Sequence, residues 1–259
     1  MIDRDRLLAL QRRGLRDWIA AMGSGSPGAK RFERDGVAGA IVPACPDRSI
    51  ANSVTFSDPA ALGGVLDELA GVYERAGVEA WTVWVPEFDA DSIAVLEAAG
   101  HVFDGKPLAM ALELEGWDPP ELGDLDWDRE VEPALLGELN DLAYGLEPEV
   151  GVARSLTDPP SELALYQARV DGRPASVLGT IDHGDDLGFY FVATDPQFRG
   201  RGLALRLTAA TLADAKHRGL ATSSLQSSAL GQPVYERLGF AGDFRLHMYE
   251  RRSGRPAEV

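Results

Sequence analysis

Hydrophobic residues in the first hundred positions recur at spacings that predict three helices and several short strands. Six apolar residues follow a period close to the 3.6 residues of a helix, and the glycines after them end it: Leu7, Leu8, Leu15, Trp18, Ile19 and Met22. Further helices are predicted at 60–75 and 91–99. Strands are predicted at 31–34 and 37–42, joined by an Asp35-Gly36 turn, and at 53–56, 81–85 and 108–114.

The same order of elements recurs in the second half of the chain. Helices are predicted at 132–144, 203–218 and 233–238, and strands at 163–170, 176–181, 187–194, 221–226 and 244–250. Asp171-Gly172 and the segment 183–186 supply turns between consecutive strands. These hairpins predict an α+β fold in which each half has a mixed, mostly antiparallel sheet flanked by helices in three layers.

The two halves are also similar in sequence. The segment from Val95 to His101 matches the segment from Val234 to Phe240 at an offset of 139 residues. A repeat of this length indicates a duplicated domain, because solenoid repeats are only about 20–50 residues long. The pattern breaks at about 116–128, where two prolines and a run of acids interrupt it. We therefore predict two tandem domains, 1–115 and 116–259.

The composition is that of a folded globular protein with a large excess of acids. Of the 259 residues, 45% are hydrophobic and 25% are charged, and the formal net charge is −16. Such a charge repels nucleic-acid phosphates and anionic lipids, so neither nucleic acid nor membrane is an expected partner. From Glu113 to Glu149 there are 13 acids and one base, Arg129. This run is either a solvated linker and helix face or an attraction for a cationic substrate.

Cysteine and histidine residues suggest neither a disulfide nor a metal site. The single cysteine, Cys45, lies between an apolar run and Pro46, which favours a buried thiol over a nucleophile. His101, His217 and His247 lack the spacing of metal ligands. The charged N-terminus is unlike a signal peptide, and no stretch is long and apolar enough to span a bilayer. We expect a cytoplasmic protein, either a monomer or a homodimer.

The segment 192–204 has the features of a phosphate-binding loop. It joins a predicted apolar strand to a predicted helix and contains Arg199, Gly200, Arg201 and Gly202. Glycines let backbone N–H groups turn toward a ligand, and the first turn of a helix has unpaired donors and a positive dipole end. A Walker loop ends in Gly-Lys-Ser/Thr, and a dinucleotide fingerprint has a third glycine where Leu205 stands, so the segment matches neither.

Two motifs in the second half resemble those of the GNAT acetyltransferases. The segment from Gln197 to Gly202 reads Gln-Phe-Arg-Gly-Arg-Gly and is similar to the family's Gln/Arg-x-x-Gly-x-Gly/Ala pyrophosphate loop. The downstream segment from Val234 to Phe240 resembles the second signature of the family, and the predicted strand order agrees. The resemblance covers about residues 125–250. It implies a GNAT fold and an acyl-CoA, such as acetyl-CoA, as the donor of an acyl group.

Carried over position by position, the resemblance implies individual roles for residues of this chain. The strand before the loop would hydrogen-bond the pantetheine arm of CoA through the backbone of Phe191, Val192, Ala193 and Thr194. The pyrophosphate would be held by Gln197, Arg199, Gly200, Arg201, Gly202, Leu203 and Ala204. Tyr235 matches the tyrosine that in many relatives protonates the departing thiolate, and its alternative role is that of a core aromatic. Ser228 lies where many relatives have an asparagine that contacts the pantetheine, and its hydroxyl would replace that contact.

Two features of the site are less defined by the sequence. Asp182, His183, Asp185 and Asp186, at a hairpin turn, are candidates for the base that deprotonates the acceptor, and each is also an ordinary solvated turn residue. The first half resembles the same fold without the glycine loop, and Leu96 stands where Tyr235 stands in the second. We therefore expect a degenerate first copy that packs against the active one.

Together these features predict an N-acetyltransferase that transfers acetyl from acetyl-CoA directly to a primary amine. The acceptor is expected to be a small molecule, and the acidic run favours a cationic one. Two alternatives stay open: an acyl-CoA-binding sensor or scaffold that has lost catalysis, and an acetyltransferase acting on a thiol precursor, since the tandem arrangement is similar to that of mycothiol synthase. The fold does not define the acceptor.

Overall fold

A computed structural model describes residues 2–147 and 151–253, and its elements follow the predicted order. The helices are α1 (Arg4–Met22), α2 (Pro59–Arg75), α3 (Ala90–Ala98), α4 (Pro133–Ala143), α5 (Leu203–His217) and α6 (Gln232–Arg237). The strands are β1 (Lys30–Arg34), β2 (Val37–Ile41), β3 (Ser53–Phe56), β4 (Ala80–Pro86), β5 (Val102–Gly105), β6 (Leu108–Glu113), β7 (Asp126–Asp128), β8 (Ala164–Val170), β9 (Arg173–His183), β10 (Asp186–Thr194), β11 (Thr222–Ser227) and β12 (Ala241–Arg252). Single 3₁₀ turns lie at Val152–Ser155 and Pro196–Phe198.

Local signals account for the starts of helices and for the hairpins. At the start of α2, the Asp58 carboxylate accepts a hydrogen bond from Ala60 N at 2.9 Å, and Pro59 supplies the first helical residue. The β1–β2 hairpin turns through Asp35 and Gly36, whose φ angles are 50° and 83°. Two consecutive positive φ angles define the type I′ turn that matches the twist of paired strands, which confirms the predicted hairpin.

The sequence pattern did not predict two of the strands, β5 and β7. β5 is mostly exposed and pairs with β12, which lies more than 130 residues further along the chain. β7 has only three residues, two of them aspartates, and pairs with β8 at the sheet edge. Neither strand has an alternating apolar face, so only its distant partner makes it a strand.

The twelve strands of the described ranges form a single sheet. Its order is β1-β2-β3-β4-β12-β6-β11-β10-β9-β8-β7, and β5 lies beside β12. Most neighbours are antiparallel, whereas β3 with β4 and β10 with β11 are parallel. The expected class, a mixed and mostly antiparallel sheet flanked by helices, is confirmed.

The two halves exchange their last strands. β6, from the first half, lies between β11 and the first part of β12, and the second part of β12 lies between β4 and β5. At the offset of 139 residues, β5 corresponds to the first part of β12 and β6 to the second. Each half therefore completes its own sheet with the last strand of the other. The sheet crosses the predicted boundary at 115/116, and that boundary stays a prediction.

Helices cover both faces of the sheet, and α1 reaches across both halves. α1 and α4 lie on one face, while α2 and α3 in the first half and α5 and α6 in the second lie on the other. The N-terminal part of α1 packs through Leu7 and Leu10 against β4, β6 and β12, and its C-terminal part packs through Trp18 and Ile19 against β2, β9 and β10. None of the helices in the described ranges combines the length and apolar character needed to cross a membrane.

The apolar core of the first half contains a buried polar side chain, that of His101. His101 is 2% exposed and stands edge-on to Trp81 with ring centroids 4.6 Å apart, and both of its ring nitrogens are buried without a hydrogen-bond partner among the described residues. Burial lowers the pKa of His101 from 6.5 to about 4, and the charge of Arg251 adds to this. The matching residue of the second half is Phe240, which is also buried.

We predict that His101→Phe stabilises the protein, because it removes two buried polar atoms that no group satisfies. The free energy of unfolding should rise by about 1–2 kcal/mol at pH 7. Between pH 6.5 and 4 the unfolded chain binds a proton at His101 that the folded chain does not, so acid destabilises the wild type by on the order of 3 kcal/mol over this range. The difference between variant and wild type should therefore grow as the pH falls. Urea denaturation at pH 7 and pH 5 measures both effects.

Substitution of the exposed His217 by Gln is the control for loss of a histidine as such. It should leave the stability within about 0.5 kcal/mol of the wild type. A His101→Phe variant with the stability and pH dependence of the wild type would contradict the interpretation of His101 as an unsatisfied buried group.

Candidate active site

The site predicted from the loop motif begins where two parallel strands part. β10 and β11 pair only at Asp186, Leu187 and Gly188. β10 then continues along β9 to Thr194, and β11 continues along β6 to Ser227. The backbone groups of β10 that face β11 beyond Gly188 therefore have no strand partner. Exposed backbone donors and acceptors of this kind are suited to hydrogen-bond an extended ligand that carries amides.

A β-bulge lies in β10 at this opening. The register of β10 on β9 shifts between Tyr190 and Ala193, and Phe191 has a φ of 50°. A positive φ is rare for a residue with a bulky side chain and occurs where surrounding contacts hold it. Phe191, Val192 and Thr194 are half-buried and Ala193 is buried, and their predicted backbone contacts with a pantetheine arm stay a prediction.

The glycine loop follows β10 and leads into α5. Gly200 and Gly202 have φ angles of 77° and 70°, and a side chain at either position would meet no atom within 4 Å. Gly202 is the N-cap of α5 and, having no side chain, leaves the N–H groups of the first helical turn uncapped. The loop is thus an open concave surface of backbone donors at the positive end of a 15-residue helix. Such a surface fits a phosphate or diphosphate group.

The arginines in and beside the loop differ in what their guanidinium groups contact. Arg201 is exposed, with its guanidinium 5.4 Å from the ring centroid of Phe198. Arg199 donates a hydrogen bond through Nη2 to Ala143 O at 2.6 Å and so ties the loop to the C-terminus of α4. A third arginine, Arg206, donates to Leu122 O at 3.2 Å and to Arg201 O at 3.4 Å, and it pairs with the exposed Asp124 at 3.4 Å. Sequence reasoning missed Arg206, although its position four residues after Gly202 puts it on the first turns of the helix.

The remaining predicted loop residues have simpler positions. Gln197 is exposed at the 3₁₀ turn, where Asp195 accepts a hydrogen bond from its backbone N at 2.8 Å. Leu203 is buried against Phe198, and Ala204 is half-buried in the first turn of α5. Because Leu203 packs in the core, only its backbone is available to a ligand.

Tyr235 lies on α6 beside this opening. Its ring is buried and meets Phe240 edge-on, with centroids 5.7 Å apart. Burial raises the pKa of Tyr235 above its ordinary value, and the neighbouring phenol of Tyr144 raises it further. The phenol therefore keeps its proton at neutral and moderately alkaline pH, which is the state that a general acid needs.

Ser228 lies in the turn between β11 and α6 and is exposed. Its hydroxyl accepts a hydrogen bond from Gly231 N at 3.2 Å, and its carbonyl accepts one from Gln232 N at 3.0 Å. The side chain is thus used within its own turn. Its predicted contact with a pantetheine arm stays a prediction.

The candidate bases at the β9–β10 turn all have partners inside the protein. Asp182 pairs with Arg218, and Asp185 pairs with Arg13 at 3.1 Å. The other two are buried: Asp186 accepts hydrogen bonds from Thr222 and Ser224 at 2.7 and 2.6 Å, and burial raises its pKa, while His183 contacts Asp17 and Tyr190. They lie at the end of β9, in the turn and at the first residue of β10, at the opposite end of β10 from the glycine loop.

The acidic run is spread along the chain rather than gathered at the site. Asp128 is hydrogen-bonded to Arg169 at 2.5 Å. Asp141 is buried and accepts hydrogen bonds from Val152 N and Ala153 N at 2.8 and 3.0 Å, which fixes the segment after α4. These two acids of the run therefore have structural contacts, and the attraction of the run for a cationic substrate stays a prediction. Glu149 lies outside the described residues.

The first half lacks the glycine loop and the tyrosine of the second half. α2 begins directly after Asp58, without a glycine loop, and Leu96 is fully buried at the position that matches Tyr235. Among the described residues, no group of three or more His, Cys, Asp or Glu side chains could hold a metal ion. Cys45 is buried, and burial raises the pKa of its thiol to about 11, so it is not an activated nucleophile.

Comparison with known proteins gives a family match in the second half of the chain. Residues 151–229 match the family model of the acetyltransferase (GNAT) domain. No curated protein sequence matches the chain. A GCN5-related N-acetyltransferase from Kribbella flavida has a similar structure, with a TM-score of 0.64 and 17% identity over 92% of this chain and 95% of its own.

Two further solved structures are similar over most of the chain. A tandem GNAT protein from the clavulanic acid biosynthesis pathway has a TM-score of 0.60 and 14% identity, covering 98% of this chain and 97% of its own. A GCN5-related N-acetyltransferase from Sphaerobacter thermophilus has a TM-score of 0.55 and 17% identity, covering 84% and 80%. At these identities the likeness concerns the fold, and it supports the tandem arrangement predicted from the sequence.

We predict that Gly202→Ala weakens binding of CoA, used here as the diphosphate-bearing probe, by at least about tenfold. The new Cβ would strain a backbone with positive φ and occupy the open surface of the loop. Gly219→Ala is the matched control, since Gly219 follows the other end of α5 with a φ of 89° and equally open surroundings. Both variants should lose about 1 kcal/mol of stability in thermal denaturation. Calorimetric titration with CoA should separate them, and equal affinities would contradict a diphosphate site at this loop.

Proposed function

We propose that this chain, a member of the GNAT superfamily, transfers an acetyl group from acetyl-CoA directly to a primary amine at one site in its second half. The observation that carries the proposal is the parting of β10 and β11 beside an open glycine loop at the start of α5. A ligand with a diphosphate and an extended amide-bearing arm fits both parts. The family match supports acyl transfer in general, and the donor and the acceptor are the proposal.

The residues of this chain would bind the acyl-CoA and stabilise the reaction. Acetyl-CoA supplies the thioester, whose carbonyl carbon the amine attacks. The loop N–H groups, with Arg201 and Arg206, hold the diphosphate, and the β10 edge holds the arm. A bulge N–H stabilises the negative charge that grows on the thioester oxygen. A C–N bond forms, the C–S bond breaks, Tyr235 gives its proton to the sulfur, and the amine loses a proton to solvent.

A groove beside the C-terminus of α4 supports a small cationic acceptor. Its volume is about 370 Å³, and it is lined by leucines of α4 together with the exposed carboxylates of Glu138 and Glu147. The hydrogen bond from Arg199 to Ala143 holds this end of α4 against the glycine loop. Two carboxylates beside an apolar surface are suited to an amine that carries a second positive charge.

A second candidate is an acyl-CoA sensor without catalytic activity. It is favoured by Ser228, whose hydroxyl is already engaged within its own turn. Such a protein would bind CoA as tightly as an enzyme does and release no thiol with any amine.

We predict that Tyr235→Phe lowers kcat by about 10²-fold or more, because the departing thiolate loses its proton donor. The affinity for CoA should stay within about twofold, since the ring remains. Release of thiol from acetyl-CoA across a panel of amines measures the rate, and calorimetry measures the affinity. In the wild type the raised pKa of Tyr235 should keep kcat from falling through loss of this proton up to about pH 10.

Tyr166→Phe is the control, since Tyr166 is a buried tyrosine of the same half on β8, two strands away from β10. It should leave kcat unchanged. CoA binding without thiol release by the wild type would support the sensor, and absence of CoA binding would exclude both candidates.

We predict that replacing Glu138 and Glu147 by Gln raises KM for diamines at least about tenfold. The second ammonium group of a diamine would no longer be attracted by the two carboxylates beside the groove. KM for monoamines of similar size should change less than about threefold. Steady-state kinetics with matched diamines and monoamines measures the difference. Equal changes for both classes would show that the groove does not select a second positive charge.

A further inference from the structure

The N-terminal helix of the first half touches the bulge of the second. The ring of Trp18, on α1, stacks on Tyr190 with centroids 4.4 Å apart and an angle of 7°. The same ring meets Phe191 edge-on at 5.1 Å and 86°. One side chain from α1 thus contacts both residues at the start of the bulge. Neither contact is implied by the loop motif or by the second signature.

A chain of hydrogen bonds ties Tyr190 to the same helix. The Tyr190 hydroxyl donates to Gly14 O at 2.9 Å and lies 2.7 Å from His183 Nε2. His183 Nδ1 lies 2.7 Å from Asp17 Oδ2. The Tyr190 hydroxyl, the His183 ring and the Asp17 carboxylate thus form one connected chain of polar contacts.

Two glycines make room for this chain. A Cβ at Gly188 would lie 2.5 Å from His183 Nε2 and 2.8 Å from the Tyr190 hydroxyl, so any other residue there would displace both. A Cβ at Gly14 would lie 3.4 Å from the same hydroxyl. Gly188 is also the last residue of β10 that pairs with β11. The side chains therefore meet at the point where the two strands part.

The chain is buried in its middle and open at one end. The His183 side chain has no exposed surface and Tyr190 is buried, whereas the Asp17 side chain is 45% exposed. Neither Tyr190 nor His183 is a group that the proposed reaction consumes. Apart from each other, their hydrogen-bond partners lie on α1, so any effect on the site passes through the backbone of the bulge.

We propose that Tyr190, held by His183 and Asp17, is a positioning residue for the acyl transfer proposed above. It fixes the left-handed conformation of Phe191, and so aims the bulge N–H at the oxygen of the thioester. This inference rests on the proposed function, because the oxygen belongs to acyl-CoA. A donor held in place before the reaction lowers the barrier without reorganising, and a small displacement weakens it.

The test compares two tyrosines that make the same kind of contact. Tyr190→Phe removes a buried hydroxyl that donates to Gly14 O, and Tyr73→Phe removes a buried hydroxyl that donates to Ala40 O at 2.9 Å in the first half. Tyr190→Phe is expected to lower kcat at least about tenfold and to leave KM for acetyl-CoA within about twofold. Tyr73→Phe is expected to leave both constants unchanged. Thermal denaturation of both variants checks that each is folded.

A second substitution keeps the inference testable if Tyr190→Phe folds poorly. Asp17→Asn, at the exposed end of the chain, should lower kcat in the same direction as Tyr190→Phe. A folded Asp17→Asn variant with the kcat of the wild type would overturn the inference. Where Tyr190→Phe is stably folded, Asp17→Asn should add less than about twofold in the double variant, because the chain is already broken at Tyr190. Fully multiplicative effects on kcat would overturn a connected chain.

The outcomes separate this inference from the proposed function. An active wild type whose kcat is unaffected by Tyr190→Phe overturns the inference alone. Equal losses of kcat in Tyr190→Phe and Tyr73→Phe also overturn it, since they indicate a general loss of stability. A wild type that turns over no acetyl-CoA with any amine overturns the proposed function and the inference with it.

Discussion

The reciprocal exchange of the last strands is the constraint on which the rest of this structure depends. β6 lies between β11 and the first part of β12, and the second part of β12 lies between β4 and β5. Because each half completes its strands with one from the other half, the two halves share one continuous sheet. α1 can then pack on both halves at once. A helix from the copy without a glycine loop thereby contacts the candidate active site of the other.

The parting of β10 from β11 concentrates unsatisfied backbone groups in one place. Buried or half-buried polar groups are costly unless they are hydrogen-bonded, so an unpaired strand edge beside a helix N-terminus is a surface that favours a polar ligand. The bulge at Phe191 and the positive φ angles of Gly200 and Gly202 lie within twelve residues of one another. These local conformations are supported by contacts from elsewhere, including Trp18 on α1 and Arg206 on α5.

The acidic residues have different roles in the structure, although they contribute equally to the net charge. The sequence predicts that the run from Glu113 to Glu149 is either a solvated linker and helix face or an attraction for a cationic substrate. In the structure, two of its acids make contacts that stabilise the fold. Asp128 pairs with Arg169, and buried Asp141 fixes the segment after α4 through two backbone N–H groups. Glu138 and Glu147 instead line the groove beside α4, where we propose that the acceptor binds. The net charge determines the long-range electrostatic field of the protein. Which group each carboxylate contacts is determined by the folded structure.

The sequence by itself determined the local features of this protein. Apolar periodicity and turn residues such as Asp35-Gly36 defined most helices and strands, and the glycine loop and Tyr235 identified the candidate site, because these signals lie within a few residues of the chain. Only the tertiary structure decided β5 and β7, the strand exchange, and the contacts of Arg206, His183 and Tyr190. Each of these three residues has a partner that is distant in sequence: Arg206 meets Leu122 across 84 positions, Tyr190 meets Gly14 across 176 and His183 meets Asp17 across 166. Contacts of that separation leave no periodic trace, since the packing of whole elements brings them together.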